Sequence, residues 1–135
     1  MFAARQTIVI VDDDPKAGLA LKRALSSWGY HTELHQSVAE CLNAPSTREA
    51  VCLVIDVHLG NDCGIDLVRR LSTMGIEKTV IHMSGASDDA TRREALSSGS
   101  VAFLEKPFEI LQLVRIIERT TAQMAGETIP KAALP

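Results

Sequence analysis

Residues 51–56, Val51-Cys52-Leu53-Val54-Ile55-Asp56, run five apolar side chains straight into a carboxylate. So short and continuous an apolar run reads as a strand buried on both faces, the pattern of an inner strand in a parallel sheet. In open α/β sheets ligands sit just outside the carboxyl ends of the strands, near the point where strand order reverses. Asp56 therefore stands where chemistry is expected, although a lone Asp after a strand is most simply a turn cap. It is not alone. Residues 7–11, Thr7-Ile8-Val9-Ile10-Val11, form a second buried-type run that ends in Asp12, Asp13 and Asp14.

Around these two runs the chain alternates strand and helix. Asp14 caps and Pro15 opens a helix whose Ala17, Ala20, Leu21, Ala24, Leu25 and Trp28 recur at helical spacing until Gly29 stops it. Residues 30–35 alternate weakly and read as a polar, edge-side strand. Ser37-Val38-Ala39-Glu40 has the spacing of a capping box and opens a short helix through Leu42, closed by a loop at residues 43–46. After Asp56 comes a turn-rich stretch through Gly64, then a helix carrying Ile65, Leu67, Val68 and Leu71. Residues 79–83 form a fourth strand ending in Ser84-Gly85-Ala86. Ser87, Asp88 and Asp89 open the next helix, with acids at the positive end of its dipole, and Gly99 ends it. Residues 101–104 form a fifth strand ending at Glu105-Lys106-Pro107, and Ile110, Leu113, Val114 and Ile117 mark a last helix.

Parallel neighbours need crossover connections, so this alternation predicts one doubly wound α/β domain, a parallel sheet of five strands with helices on both faces. At 135 residues the chain can bury a core without disulfide staples. A net charge of −3 offers no electrostatic footprint for nucleic acid. No stretch is long and apolar enough for a membrane span, and the first six residues do not resemble a signal peptide, so the cytoplasm is the expected location. Three cysteines, odd in number and unpaired in spacing, read as reduced thiols, and the four histidines show no metal-ligand spacing.

This architecture gathers the strand ends on one rim, and with them Asp12, Asp13, Asp56, Ser84 and Lys106. Crowded carboxylates repel unless a cation neutralises them, and oxygen donors beside water suit Mg²⁺. Lysine supplies a point charge and serine a hydroxyl for a phosphoryl group, and a carboxylate can attack phosphorus to give an acyl phosphate. The constellation reads as aspartyl phosphorylation.

Ile8-Val9-Ile10-Val11-Asp12-Asp13-Asp14, Leu53-Val54-Ile55-Asp56 with Gly64 eight residues on, Met83-Ser84-Gly85 and Lys106-Pro107-Phe108 together resemble the receiver domain of two-component response regulators. The resemblance spans residues 6–121. It implies a flavodoxin-like sheet in the order 2-1-3-4-5 and a phosphoryl group passed from a sensor histidine kinase or phosphotransfer protein to Asp56. It further implies Mg²⁺ held by Asp13, Asp56 and the His58 backbone carbonyl, with Asp12 acting through water. By the same resemblance Ser84 is the switch hydroxyl, Phe103 the aromatic that moves with it, and Lys106 the phosphoryl-pairing lysine, its bond to Pro107 cis. Such a domain is a signalling switch rather than an enzyme. It would shift population toward a conformer read by a downstream target, an effector domain or a second copy on the face of the fourth helix, fifth strand and last helix. Leu111 and Ile116 lie off the core stripe of that last helix and suit either an interface or a broader core stripe.

The chain departs from the family in the loop after Asp56, where Leu59-Gly60 replaces a frequent Met-Pro and predicts a looser connection. His58 in that loop could contact a phosphodonor, and Cys63 is either exposed or a small buried filler. Residues 122–135, with Gly126 and two prolines, read as a tail or linker with no effector domain. Two other readings are a constitutive receiver-like interaction module and a small haloacid-dehalogenase-type phosphatase. Asp12-x-Asp14 fits the first motif of the latter, but Lys16 and the missing acidic pair after Lys106 do not.

Overall fold

A computed structural model of the protein describes residues 6–86 and 88–124. In chain order its elements are β1 (Thr7–Val11), α1 (Pro15–Ser27), β2 (His31–His35), α2 (Val38–Asn43), α3 (Pro45–Glu49), β3 (Cys52–Asp56), β4 (His58–Leu59), β5 (Asp62–Cys63), α4 (Gly64–Thr73), β6 (Thr79–Ser84), α5 (Asp89–Ser97), β7 (Ala102–Glu105) and α6 (Ile110–Met124). Five strands form one parallel sheet in the order β2-β1-β3-β6-β7, with β2 at an edge. This is the expected doubly wound order. The chain leaves β1 for β2 and returns past it to β3, so the order reverses between β1 and β3, where Asp12 and Asp56 emerge.

Strand periodicity divides the core in two. Ile8 and Ile10 of β1, Cys52 and Val54 of β3, and Ile81 and Met83 of β6 pack with Leu25 of α1 and Leu113, Val114 and Ile117 of α6. Their alternates Val9, Val11, Leu53, Ile55 and Val80 pack with Val38 and Cys41 of α2 and Leu67 and Leu71 of α4. Helices therefore cover both faces. Every residue of β3 is buried, and each large aliphatic so placed stabilises the fold by about 1.5–3 kcal/mol relative to exposure.

The helix starts follow their side chains. The Asp14 carboxylate accepts the backbone N–H of Lys16 at 3.0 Å and of Ala17 at 3.4 Å, Pro15 occupies the first turn of α1, and Gly29 ends that helix region at φ 95°. Ser37 Oγ accepts the Glu40 N–H at 3.1 Å, while Glu40 Oε2 accepts from the Gln36 N–H, one residue earlier than in a standard capping box. Asp88 Oδ1 accepts the Thr91 N–H at 2.7 Å. Ser87, read as part of that start, lies outside the described residues.

The structure corrects or sharpens the sequence reading in four places. Residues 43–46 are not simply a closing loop, because Pro45 opens α3 and there takes the first-turn position that needs no donor. The turn-rich stretch after Asp56 contains a small antiparallel hairpin in which His58 pairs with Cys63 and Leu59 with Asp62. Ile116 belongs to the core on the α1–α6 face, whereas Leu111 stays 38% exposed. The last helix continues to Met124, past residue 121. Residues 125–135, the rest of the expected tail, lie outside the described residues.

Candidate functional site

The rim above the carboxyl ends of the strands is organised by Lys106. Its backbone N–H donates to the Ser84 carbonyl at 2.8 Å, continuing the β6–β7 ladder, and the following Lys106–Pro107 peptide is cis. From there the ammonium reaches back over the sheet, 2.7 Å from Asp56 Oδ2 and 3.1 Å from Asp12 Oδ2. Both carboxylates are nearly buried, at 7% and 1% exposure, and each uses its other oxygen locally. Asp56 Oδ1 accepts the His58 N–H at 3.0 Å, and Asp12 Oδ1 accepts the Asp14 N–H at 2.9 Å.

The electrostatics follow from this burial. Loss of solvent pushes the Asp12 carboxyl above the ordinary value of 3.8 and outweighs the Asp14 amide and Lys106, which favour its charge. For Lys106, burial is the largest single influence and pulls its affinity for the proton down. Hydrogen bonds and charge from Asp56 and Asp12 together reverse that pull, leaving it above 10.5 and the ammonium intact.

The other expected residues take distinct places. Ser84 is fully buried at the end of β6, where its Oγ accepts the Ala86 N–H at 3.2 Å. Phe103 is buried with Val57, Ile65 and Ala95, and the Arg92 guanidinium sits over its ring, 5.1 Å from the centroid. Asp13 is exposed and does not crowd the other two acids. Its Oδ2 instead accepts the Gly60 N–H at 2.8 Å. Among the described residues, no group of three or more His, Cys, Asp or Glu side chains converges enough to hold a metal ion. The expected three-carboxylate cluster is thus a Lys106-centred pair plus one outlying acid.

Asp13 also anchors the loop that Leu59-Gly60 was expected to loosen. Leu59 is buried, the Gly60 amide is held, and the hairpin closes the segment. The His58 side chain is exposed, and Cys63 is a partly buried filler against Val57, Ile65, Ala95 and Phe103. Two supporting residues have a part that their motif position did not reveal. A Cβ on Gly64 would collide with the backbone carbonyl of Asp56 and lie 2.8 Å from Ile55 Cγ2, so only glycine lets α4 start against this strand end. The Arg92–Phe103 stack depends on the rotation of α5 about its axis, which single-sequence periodicity does not fix.

A doubly wound sheet with acids ending β1 and β3, a hydroxyl ending β6 and a lysine following β7 defines a flavodoxin-like domain whose polar site lies at its topological switch point. The chain belongs to the response regulator receiver domain family, whose model matches residues 8–118. It is similar to the transcriptional regulatory protein FixJ of Rhizobium meliloti, 34% identical over 121 residues, covering 89% of this chain and 59% of that protein. It is also similar to the response regulator protein TmoT of Ectopseudomonas mendocina, 31% identical over 120 residues, covering 89% of this chain and 54% of that protein. Against these curated relatives the chain spans little more than half of their length. Among solved structures, the FixJ-N crystal structure superposes with a TM-score of 0.78 at 33% identity, covering 88% of this chain and 95% of that one. The receiver domain of Francisella response regulator 1452 superposes with a TM-score of 0.81 at 27% identity, covering 89% and 99%. Receiver domains act in two-component signalling and not as enzymes of the usual kind. Among the described residues no helix is long and apolar enough to cross a membrane.

Proposed function

We propose that this domain takes a phosphoryl group from the phosphohistidine of a sensor histidine kinase or phosphotransfer protein onto Asp56. The observation that carries the reading is the Lys106 ammonium, seated between Asp56 and Asp12 at the switch point of the sheet. An Asp56 carboxylate oxygen attacks phosphorus, an O–P bond forms, and the N–P bond to the donor breaks with its electron pair returning to the imidazole. Lys106 then has new phosphoryl oxygens within reach of the position it already occupies. Among the described residues Ser84 Oγ accepts from the Ala86 N–H and donates to none, so its own O–H can be given to the same group.

Receiver domains generally bind Mg²⁺ or Ca²⁺ at the phosphorylation site. The donor set here fits such an ion in kind, since Asp12, Asp13 and Asp56 offer hard carboxylate oxygens. Asp13, Asp56 and the His58 backbone carbonyl would hold Mg²⁺, with Asp12 acting through water. The ion, when bound, supplies positive charge that offsets the phosphoryl oxygens.

Phosphorylation would shift the population of conformers at Ser84, Phe103 and the surface of α5, β7 and α6. Val101 and Leu111, 45% and 38% exposed, are apolar contacts available there to a downstream target, an effector domain or a second copy. In this reading direct nucleic-acid binding is not a property of this chain, and the cytoplasm is its location. The test is to incubate the protein with Mg²⁺ and acetyl phosphate and weigh it intact beside Asp56→Asn. One phosphoryl group on the parent and none on the variant is the expected result, and equal labelling of both would move the acceptor elsewhere.

A further inference from the structure

His82 is 0% exposed in β6, with Val80, Ile81 and Met83 as its apolar neighbours. A leucine would fill such a position with no polar atom to satisfy. Among the described residues the imidazole makes one polar contact, Nε2 to the Gly64 carbonyl oxygen at 3.0 Å, while Nδ1 is buried without a partner. A carbonyl can only accept, so Nε2 carries the hydrogen and Nδ1 the lone pair. A buried orphan acceptor is a cost that asks for a compensating role.

Gly64 is the residue packed behind Asp56. Its N–H donates to the Val57 carbonyl at 2.7 Å, and the Val57 N–H donates to the Met83 carbonyl at 2.9 Å. A closed ring results, running from β6 through the His82 imidazole to the start of α4, then back by two backbone bonds to β6. The imidazole is the only side chain in that ring. His82 also stands opposite Ile55 on one side and Phe103 on the other, between the strand that ends in Asp56 and the strand that carries the aromatic.

We propose that His82 is a positioning residue for Asp56, a strut that holds the start of α4 against the strand end so that the carboxylate meets Lys106. The functional part of this proposal rests on Asp56 being the phosphoacceptor. Burial lowers the proton affinity of the ring below the ordinary 6.5 against the opposing pull of the Gly64 carbonyl, so the neutral Nε2–H form is the one that acts.

The test uses the whole chain with His82→Leu and His82→Gln, the latter placing an amide donor near the Nε2 position. Amide hydrogen exchange is read on the unphosphorylated protein, and phosphorylation by acetyl phosphate with Mg²⁺ is read by intact mass. In His82→Leu the Val57 and Gly64 amides exchange about fivefold faster, the equilibrium equivalent of one net hydrogen bond, while Ile10 and Val54 keep their protection. Phosphorylation slows by at least that factor, and His82→Gln restores both readouts. Unchanged exchange at Gly64, faster exchange across the whole sheet, or no restoration by glutamine would each overturn the strut. A parent that takes no phosphoryl group, with Gly64 still loosened in His82→Leu, overturns the acceptor reading and supports the strut.

Discussion

The Lys106 ammonium lies 2.7 Å from Asp56 Oδ2, although 50 residues separate the two in the chain. Asp12 completes the contact at 3.1 Å, so one cation ties together the ends of β1 and β3. Lys106→Met leaves two nearly buried carboxylates facing each other without compensation. Removing one partner of a buried pair costs about 3–5 kcal/mol, and with the Lys106 side chain 27% exposed, solvent screening reduces this to about 1–3 kcal/mol. Urea unfolding at pH 7 should show the loss, with Asp12→Asn recovering part of it in the double variant. Undiminished stability in Lys106→Met would mean that the lysine does not hold the site together.

Asp12→Asn in the parent should act in the opposite direction. Burial raises the Asp12 carboxyl above 3.8 despite Lys106. An acid whose folded value is raised contributes stability that is present below its unfolded value and lost as pH rises through the folded one. At pH 7 the charge is therefore a net cost that asparagine avoids. The expected result is a higher Tm at pH 7 than in the parent, with the gain shrinking toward zero below pH 4. A lower Tm at pH 7 would show that pairing with Lys106 outweighs burial.

Gly64→Ala should damage both stability and phosphorylation, because the new methyl meets the Asp56 backbone, which cannot turn aside. Overpacking of this kind costs about 1–3 kcal/mol. Gly18→Ala is the informative contrast, since a Cβ there lies 2.7 Å from Leu34 Cδ1, the movable end of a side chain. Thermal unfolding of the two variants, with acetyl phosphate labelling of each, should find Gly64→Ala the more destabilised and the only one slow to be labelled. Equal effects would remove the special role of Gly64.

Long apolar runs, and the residues that end them, carried most of what could be read in the sequence. Residues 51–55 announce an inner strand because each side chain suits burial, and once two such strands are parallel, Asp12 and Asp56 must share a rim with whatever ends the others. That brought Ser84 and Lys106 into view. The features that escaped depend on geometry over a few residues. Pro45 breaks one helix and starts another, and the sequence alone does not separate these roles. The β4–β5 hairpin is too short for alternation to register, and the turn of Asp13 toward Gly60 needs that glycine at φ 64°. His82 is a polar residue in an apolar strand, and its partner, Gly64, is set by tertiary packing that the sequence pattern does not show.

Two buried histidines should make stability depend on pH just below neutrality. His82 and His35 are 0% and 7% exposed, and burial holds both below the ordinary 6.5. His35 Nε2 lies 3.3 Å from Ser46 Oγ, and its Nδ1, like that of His82, is buried without a partner among the described residues. The unfolded chain then binds protons that the folded one refuses, so this stability is fully present above 6.5 and is lost as pH falls toward the lowered folded values. Each ring contributes at most about 1.4 kcal/mol per pH unit in that window. The measurement belongs in the Asp12→Asn background, because Asp12 runs the other way with pH. Unfolding free energy there should be flat from pH 8 to 7 and fall from 6.5 to 5.5, with His35→Gln and His82→Gln each removing about half of the slope. A profile that stays flat to pH 5.5 would mean that both rings accept the proton in place, with acceptors or water reaching Nδ1.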